Sequence, residues 1–318
     1  MNIALLEPLG ISRQEVDRYA AELLKDGHTF TYYDEKTADP QELARRSQGQ
    51  DIVMIANNPY PTEVINACPD LKMIDVAFTG IDHVPSALCK ERSITICNCA
   101  GYSNTSVSEL AIGMVIGLFR KLITADTTVR NGGVSAGLTG KEICGKTVGI
   151  SGCGKIGRQT GRLFNAFGAE VLGYSRHADP AWEKDGITYT PLDELLGRSD
   201  IVSVHLPLNE STRGFISAEK LALMKEDAVL VNCARGPVID NAALARALHE
   251  GKIAGAAIDV FDMEPPIPAD YPLLSAENVL LTPHVAFLTE ESMQRRAAIA
   301  FENVMCYLAG KPQNVCKI

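Results

Sequence analysis

Three short segments in the second half of the chain each end a buried apolar run in a residue that can do chemistry. The segments are VLVNCARG (229–236), AAIDVFDMEPP (256–266) and VLLTPH (279–284). They deliver Arg235, Glu264 and His284. A guanidinium can hold a carboxylate, a histidine can move a proton, and a glutamate can keep that histidine charged. This set of side chains suits a small oxo or hydroxy acid.

The elements that must position these residues alternate between short apolar runs and amphipathic stretches. In the first hundred residues the pattern predicts strands at 3–7, 51–56, 71–78 and 94–99, with helices at 12–26 and 40–48. A long helix follows at 105–121. A second series predicts strands at 147–151, 170–175, 200–205, 228–233, 255–260 and 278–283. Such alternation is typical of parallel sheets covered by helices.

The segment SGCGKIG places Gly152, Gly154 and Gly157 in GxGxxG spacing, between a predicted strand and a predicted helix. That context makes the pattern a strong indication of dinucleotide binding. The glycines permit a tight turn, a close approach of the backbone to a pyrophosphate, and close packing of helix on strand. The helix N-terminus adds amide donors for the phosphates.

The end of the next strand bears on which dinucleotide is bound. An acidic residue there usually holds the ribose diol of NAD, but this chain has Ser175 and Arg176 instead. A serine leaves room for a 2′-phosphate and an arginine can pair with it. The sequence therefore favours NADP over NAD.

The final helix, from Thr289 to about Ala309, is followed by too little chain to form a domain of its own. We expect it to return to the N-terminal domain and make that domain discontinuous. The predicted fold class is α/β, with two Rossmann-like or flavodoxin-like parallel-sheet domains. The expected substrate domain comprises 1–101 and 287–318, and the expected dinucleotide-binding domain comprises 102–286.

Composition limits the classes of partner. The 318 residues carry a formal net charge of -9, which argues against nucleic acid and anionic membranes as partners. The longest uncharged apolar run, 110–119, is about half of what a membrane span needs. The nine cysteines form no CxxC pair, so no metal site is expected. Free thiols and an N-terminus unlike a signal peptide predict a cytoplasmic protein.

Several longer motifs in this order resemble those of the D-isomer-specific 2-hydroxyacid dehydrogenases, and in particular the glyoxylate and hydroxypyruvate reductases. The motifs are GYSNTSVSEL (101–110), GCGKIG (152–157), HLPLNESTRGFI (205–216), NCARGPVIDNAAL (232–244), DVFDMEPP (259–266) and TPHVAFLTEES (282–292). The resemblance covers nearly the whole chain. It implies an NAD(P)-dependent enzyme, a homodimer, that interconverts a small 2-oxo acid and its D-2-hydroxy acid.

The resemblance also implies roles for individual residues. Arg235, Glu264 and His284 would be catalytic, and Asp262 competes with Glu264 on chemistry alone. The predicted cofactor contacts are Ser106, Gly152, Gly154, Lys155, Ile156, Gly157, Ser175, Arg176, His205, Pro207, Thr212, Cys233, Ala234 and Asp259. The predicted substrate contacts are Phe78, Thr79, Gly80, Ile81, Tyr102, Arg235 and His284.

Two departures narrow the choice of substrate. Family members that act on phosphoglycerate carry an arginine just before the loop that corresponds to VAFTGIDHV (76–84), and here those positions are apolar. Formate dehydrogenases of the superfamily pair the histidine with glutamine, whereas this chain has Glu264. These points argue against phosphoglycerate and formate. The N-terminal loops at 57–60, 77–81 and 101–104 offer a mixed polar and aromatic surface, and glyoxylate or hydroxypyruvate is the favoured substrate. Two other functions remain as alternatives, a dinucleotide-sensing corepressor-like binding protein and a phosphite-type dehydrogenase.

Overall fold

The structure, a computed structural model, describes residues 1–318. The chain folds into two compact units. The first comprises Met1–Ser103 and Leu288–Ile318, and the second comprises Asn104–Phe287. No helix in the chain combines the length and the apolar character that crossing a membrane requires.

The first unit is built on five strands. They are β1 (Asn2–Leu5), β2 (Thr29–Tyr32), β3 (Ile52–Ile55), β4 (Met73–Val76) and β5 (Thr95–Asn98). All pair in parallel, in the order β2-β1-β3-β4-β5. Every residue of β3 and β4 is buried, as expected of parallel strands covered on both faces. The edge strand β2 is half exposed, and no strand was predicted there.

Four helices precede the second unit. They are α1 (Arg13–Lys25), α2 (Pro40–Ser47), α3 (Thr62–Asn66) and α4 (Ser86–Glu91). A capping box between Ser12 and Glu15 begins α1. The Asp39 side chain caps α2, and Pro40 occupies its first position. The helices predicted at 12–26 and 40–48 are therefore confirmed to within a residue or two.

The second unit contains seven strands. They are β6 (Thr147–Ser151), β7 (Glu170–Tyr174), β8 (Ile187–Tyr189), β9 (Ile201–Val204), β10 (Val229–Asn232), β11 (Gly255–Ile258) and β12 (Val279–Leu281). Their order is β12-β11-β10-β9-β6-β7-β8, and all pairs are parallel. The predicted fold class, with two parallel-sheet α/β parts, is confirmed. The short edge strand β8 was not predicted.

Seven helices belong to this unit. They are α5 (Asn104–Phe119), α6 (Leu122–Arg130), α7 (Lys155–Ala166), α8 (Ala181–Lys184), α9 (Leu192–Arg198), α10 (Ala218–Leu221) and α11 (Asn241–His249). The helix predicted at 105–121 is confirmed as α5 to within two residues, whereas α6 was not predicted. Lys121 adopts the left-handed conformation, with φ of 50°, so α5 stops and α6 starts afresh.

The last helix, α12 (Glu290–Leu308), belongs to the first unit. Phe301 on this helix stacks on Tyr19 at 5.0 Å between ring centroids. Asn303 donates from Nδ2 to the carboxyl group of Asp75 at 2.9 Å and to the Asn98 carbonyl at 3.0 Å. Asp75 lies fully buried in β4, and burial raises its pKa to about 8. The helix is thus attached to α1 by ring stacking and to the sheet by polar groups.

Candidate functional site

The three residues singled out from the sequence follow three neighbouring strands. Arg235 comes after β10, Glu264 after β11 and His284 after β12. The order β12-β11-β10 places these strands side by side, and their parallel direction puts all three carboxyl ends at one edge. This is the edge at which open α/β sheets bind ligands.

Glu264 and His284 are in direct contact. Both carboxylate oxygens of Glu264 lie 2.9 Å from Nδ1 of His284. A carboxylate can only accept, so the proton in this contact belongs to Nδ1. Nε2 is then the ring nitrogen that can gain or lose a proton. The histidine side chain is 11% exposed and that of the glutamate 55%. An exposed carboxylate therefore contacts a largely buried imidazole.

The geometry distinguishes Glu264 from its chemical competitor Asp262. One Asp262 oxygen accepts from Nδ2 of Asn241 at 2.8 Å, and the other accepts from the Tyr271 hydroxyl at 2.8 Å. Both oxygens of Asp262 are therefore engaged away from the imidazole. Glu264 is the carboxylate that meets the histidine.

The turn that carries His284 is fixed from the end of β11. The His284 amide donates to the Asp259 carbonyl at 2.8 Å, and the histidine adopts a left-handed φ of 56°. The Asp259 carboxylate accepts from the Thr282 hydroxyl at 2.6 Å and from the amides of Val285 and Ala286 at 2.8 and 2.9 Å. Burial raises the pKa of Asp259. Asp259 thus supports the histidine turn, and its contact with a cofactor stays a prediction.

The turn that carries Arg235 is held by Asn232, the last residue of β10. The Asn232 side chain donates to the Arg235 carbonyl at 2.9 Å and accepts from the Ala234 amide at 3.0 Å. Arg235 donates from Nη1 to the Ala234 carbonyl at 2.8 Å. Cys233 is buried with its sulfur 3.6 Å from that of Met114, and burial raises the pKa of its thiol. Cys233 thus packs beside the turn, and its contact with a cofactor stays a prediction.

Gly236, directly after Arg235, lies against the loop that carries Glu264. A Cβ at Gly236 would stand 1.8 Å from the carbonyl oxygen of Phe261. No other residue type fits at this position without moving one of the two loops. The arginine turn and the glutamate loop are therefore in backbone contact.

Phe287 lies beside the histidine. Its ring meets the imidazole of His284 edge to face, with the centroids 5.4 Å apart. Such a contact covers one side of the imidazole and limits its rotation.

The glycine-rich turn has the shape that a dinucleotide pyrophosphate needs. Gly152 has a φ of 106°, and a Cβ there would lie 2.7 Å from the His205 carbonyl carbon. A Cβ on Gly157 would lie 2.2 Å from the Gly152 oxygen. At Gly154 the added Cβ would meet nothing within 4 Å. No side chain caps α7, so the first amides of the helix, which include Lys155 and Ile156, can donate to phosphate oxygens.

Ser175 and Arg176 follow β7, next to the glycine turn. The Ser175 hydroxyl accepts from the Cys153 amide at 3.1 Å. Arg176 is exposed and takes part in none of the ion pairs of the chain. A guanidinium in this state is available to a ligand phosphate.

The remaining predicted cofactor residues have varied surroundings. Nε2 of His205 lies 2.9 Å from the Ser203 hydroxyl, and burial lowers the His205 pKa to about 4, so its ring is neutral at pH 7. The Thr212 hydroxyl donates to the Pro207 carbonyl at 2.6 Å and accepts from the Asn209 amide at 2.8 Å. Thr212 thus shapes its own loop. Ser106 is buried near the start of α5.

The predicted substrate loop follows β4 in the first unit. The Asn98 side chain donates to the Thr79 carbonyl at 2.7 Å, and the Cys99 amide donates to the Phe78 carbonyl at 2.9 Å. The amides of Thr79, Gly80 and Ile81 donate to no backbone carbonyl. Tyr102, after β5, lies with its ring 6.0 Å from that of Phe78. The loop is thus held through its carbonyls while its amides remain available.

Sequence reasoning missed three residues that shape the site. Asn232 had a visible signal, since it is a polar residue that ends an otherwise apolar buried run. Asn241 and Tyr271 had none, because their contacts with Asp262 join positions 21 and 9 residues apart across loops.

Comparison with known proteins agrees with this geometry. The sequence model described as "D-isomer specific 2-hydroxyacid dehydrogenase, NAD binding domain" matches residues 112–286. A glyoxylate reductase of Thermofilum pendens is 36% identical over 299 residues, which cover 91% of this chain and 88% of that protein. A hydroxypyruvate reductase of Blautia hydrogenotrophica is 34% identical over 322 residues, 99% of each chain.

A solved structure shows the same architecture. It is that of an acyclic imino acid reductase (Bsp5) in complex with NADPH and D-Arg, with a TM-score of 0.89 and 29% identity over 100% of both chains. Motifs, fold and relatives agree: this chain belongs to the family of D-isomer specific 2-hydroxyacid dehydrogenases, which are NAD(P)-dependent oxidoreductases acting on CH–OH donors.

Proposed function

We propose that this chain reduces a small 2-oxo acid, with glyoxylate or hydroxypyruvate favoured, to the 2-hydroxy acid, of D configuration where carbon 2 becomes chiral. The observation that carries the proposal is the contact of both Glu264 carboxylate oxygens with Nδ1 of His284, close along the sheet edge to the turn of Arg235. The names of the two relatives support the choice of substrate.

In this proposal each of the three residues has one task. Arg235 holds the substrate carboxylate through two parallel hydrogen bonds, which orients carbon 2. A reduced nicotinamide supplies the hydride when it is bound. His284 gives the proton on Nε2 to the carbonyl oxygen as negative charge develops there. Glu264 stabilises the imidazolium before the transfer. One hydride and one proton are consumed, and His284 is left neutral. Oxidation runs the same steps backward, with neutral His284 as the base.

We propose that the glycine turn holds the pyrophosphate and that NADPH is the preferred cofactor. The open space at Gly154 and the uncapped N-terminus of α7 fit a pyrophosphate. The absence of an acidic side chain at Ser175 and the exposed Arg176 fit a 2′-phosphate. The second unit would accordingly be the dinucleotide-binding domain and the first the substrate domain.

Two further parts of the proposal concern substrate and subunits. The amides of Thr79, Gly80 and Ile81, together with Phe78 and Tyr102, would supply substrate contacts from the first unit. A homodimer is also proposed, because α6 has no buried residue and exposes apolar side chains. All nine cysteines are free, which fits the reducing cytoplasm that we propose as the location.

The deciding experiment is a turnover panel of glyoxylate, hydroxypyruvate and pyruvate, each with NADH and with NADPH. We expect oxidation of NADPH with glyoxylate or hydroxypyruvate. Cofactor binding without turnover of any 2-oxo acid would overturn the proposal in favour of a corepressor-like protein. Reduction of NAD(P)⁺ by phosphite, without activity on the oxo acids, would favour a phosphite-type dehydrogenase.

A further inference from the structure

The arginine turn and the glutamate loop follow different strands, yet they must act on one substrate. Arg235 follows β10, and Glu264 lies six residues beyond β11 on a loop whose outer part is exposed. The close approach of Gly236 to Phe261 brings the two backbones together. Backbone contact alone sets a distance but leaves the rotation of the outer loop free. A second connection is needed to fix Glu264 relative to Arg235.

The side chain of Asn241 makes that connection. Its Nδ2 donates to the Gly236 carbonyl at 3.2 Å and to Oδ1 of Asp262 at 2.8 Å. Both partners are acceptors, so a flipped amide would place its oxygen against two other oxygens. The orientation of the amide is therefore fixed by its neighbours. One nitrogen thus joins the residue after Arg235 to the residue two before Glu264.

The oxygen of the same amide has an unfavourable environment. Asn241 is 3% exposed, and its Oδ1 is buried without a hydrogen-bond partner. A buried acceptor without a partner is unfavourable, and native proteins keep few of them. The amide is therefore oriented by its two donated bonds.

Asp262 is fixed from its second side by Tyr271. The tyrosine hydroxyl donates to Oδ2 of Asp262 at 2.8 Å, and its ring packs edge to face on Phe261 at 5.6 Å. Burial and the adjacent carboxylate raise the pKa of Tyr271, so the hydroxyl stays a donor. The loop is thus held at the start of the segment that presents Glu264.

We propose that Asn241 is a positioning residue that couples the carboxylate-binding Arg235 to the Glu264–His284 pair through Gly236 and Asp262. This inference rests on the proposed function for its kinetic consequences. It assigns Asp262 and Tyr271 the task of orienting the Glu264 loop. Catalytic groups tolerate misplacement poorly, and about 1 Å can lower the rate roughly 100-fold.

The test compares Asn241→Ala with Asn165→Ala. Asn165 offers a matched control, because its Nδ2 also donates two hydrogen bonds, at 2.7 and 3.0 Å to the carbonyls of Asp185 and Gly186, in the same unit at the end of α7. Both variants lose two bonds. We expect kcat/KM of Asn241→Ala for a 2-oxo acid to fall roughly 10- to 100-fold, while Asn165→Ala stays within about twofold of the parent enzyme.

A double-mutant cycle separates positioning from a purely structural role. If Asn241 acts through Glu264, adding Glu264→Gln to Asn241→Ala should cost much less than it costs in the parent enzyme. Asp262→Ala should lose more activity than Asp262→Asn, because asparagine can still pair with both partners. Additive effects of Asn241→Ala and Glu264→Gln would overturn the proposal.

An activity-independent measurement keeps the inference separable from the proposed function. The ring signals of His284 in the NMR spectrum, assigned with a His284 variant, should move in Asn241→Ala toward their positions in Glu264→Gln. Unmoved signals together with kcat/KM equal to that of Asn165→Ala would contradict the coupling. If no 2-oxo acid is turned over by the parent enzyme, the proposed function fails, and the ring signals still decide whether Asn241 holds Glu264 on the histidine.

If Asn241→Ala does not fold, Tyr271→Phe replaces it. We then expect the His284 ring signals to shift in the same direction by a smaller amount, and unshifted signals would count against the proposal.

Discussion

Asp259 accepts hydrogen bonds from the backbone amides of both residues that follow His284, at 2.8 Å from Val285 and 2.9 Å from Ala286. The Thr282 hydroxyl donates to the same carboxylate at 2.6 Å. The turn that presents the histidine is therefore attached to the end of the neighbouring strand, whichever molecule occupies the site.

Replacing Asp259 with asparagine tests this attachment. An amide has one acceptor oxygen where the carboxylate has two, so one of the amides of Val285 and Ala286 would lose its partner. We expect a loss of about 1 to 3 kcal/mol in the free energy of unfolding, and a lower kcat because the histidine turn loosens. Urea denaturation and steady-state kinetics measure the two effects. Unchanged stability would show that the carboxylate does not hold the turn.

Replacing Glu264 with glutamine tests the role of its charge. Glutamine can still accept from Nδ1 but no longer favours the imidazolium. The pH profile for reduction should therefore fall off at lower pH than that of the parent enzyme. The control is Glu250→Gln, an exposed glutamate at the end of α11. A profile that coincides with that of the parent enzyme would rule out the proposed role.

Replacing Arg235 with lysine tests the carboxylate clamp. A lysine keeps the charge but has no planar fork, so it cannot make two parallel bonds. We expect kcat/KM for the 2-oxo acid to fall roughly 10- to 100-fold, with a larger effect on the KM for this substrate than on the KM for the cofactor. Arg246→Lys, at an exposed position on α11, provides the matched substitution. An undiminished kcat/KM would remove Arg235 from the mechanism.

Replacing Arg176 with alanine tests the choice of cofactor. If the guanidinium binds a 2′-phosphate, the KM for NADPH should rise roughly 10-fold while that for NADH stays the same, because a hydrogen bond to a charged group contributes about 1.5 to 3 kcal/mol. Arg120→Ala, another exposed arginine of the second unit, controls for loss of charge. An equal change in the KM for NADPH and in that for NADH would argue that NAD is the cofactor or that Arg176 has no role in the choice between them.

Asp75 predicts a pH-dependent stability. Burial raises its pKa to about 8, so the folded protein keeps a proton there that the unfolded chain releases above roughly pH 4. This stabilisation is complete below about pH 4 and is lost as the pH rises from there to about 8. An asparagine side chain cannot ionise, so Asp75→Asn should gain about 1 to 4 kcal/mol relative to the parent protein between pH 5 and pH 8. Chemical denaturation at both pH values measures this gain, and Asp70→Asn, at an exposed site, should show none.

The sequence predicts those parts of the fold whose signals are local. The apolar runs of β3 and β4 are buried on both faces, and the strands were expected there. The edge strands β2 and β8 have only three or four residues and exposed side chains, so they resemble loops. The end of α5 depends on the left-handed backbone of Lys121, and a lysine at this position does not predict that conformation.

The candidate site likewise contains residues that the sequence predicts and residues that it does not. The order of the motifs predicts Arg235, Glu264 and His284, because each follows its own apolar strand. The choice between Asp262 and Glu264 stays open on chemistry, and it depends on Asn241 and Tyr271, which reach Asp262 from distant positions. Such support depends on loop geometry, and loop geometry has no periodic pattern in a sequence.

The left-handed φ of 56° at His284 determines how substitutions at this position should be interpreted. Few residue types adopt this conformation readily, and asparagine is among the best tolerated after glycine. An alanine in place of His284 would remove the proposed proton donor and also strain the turn, so its defect would combine two causes. Asparagine would remove the proposed proton donor while keeping a backbone that accepts the turn. The difference in activity between the two variants would separate the contribution of the backbone conformation from that of the imidazole.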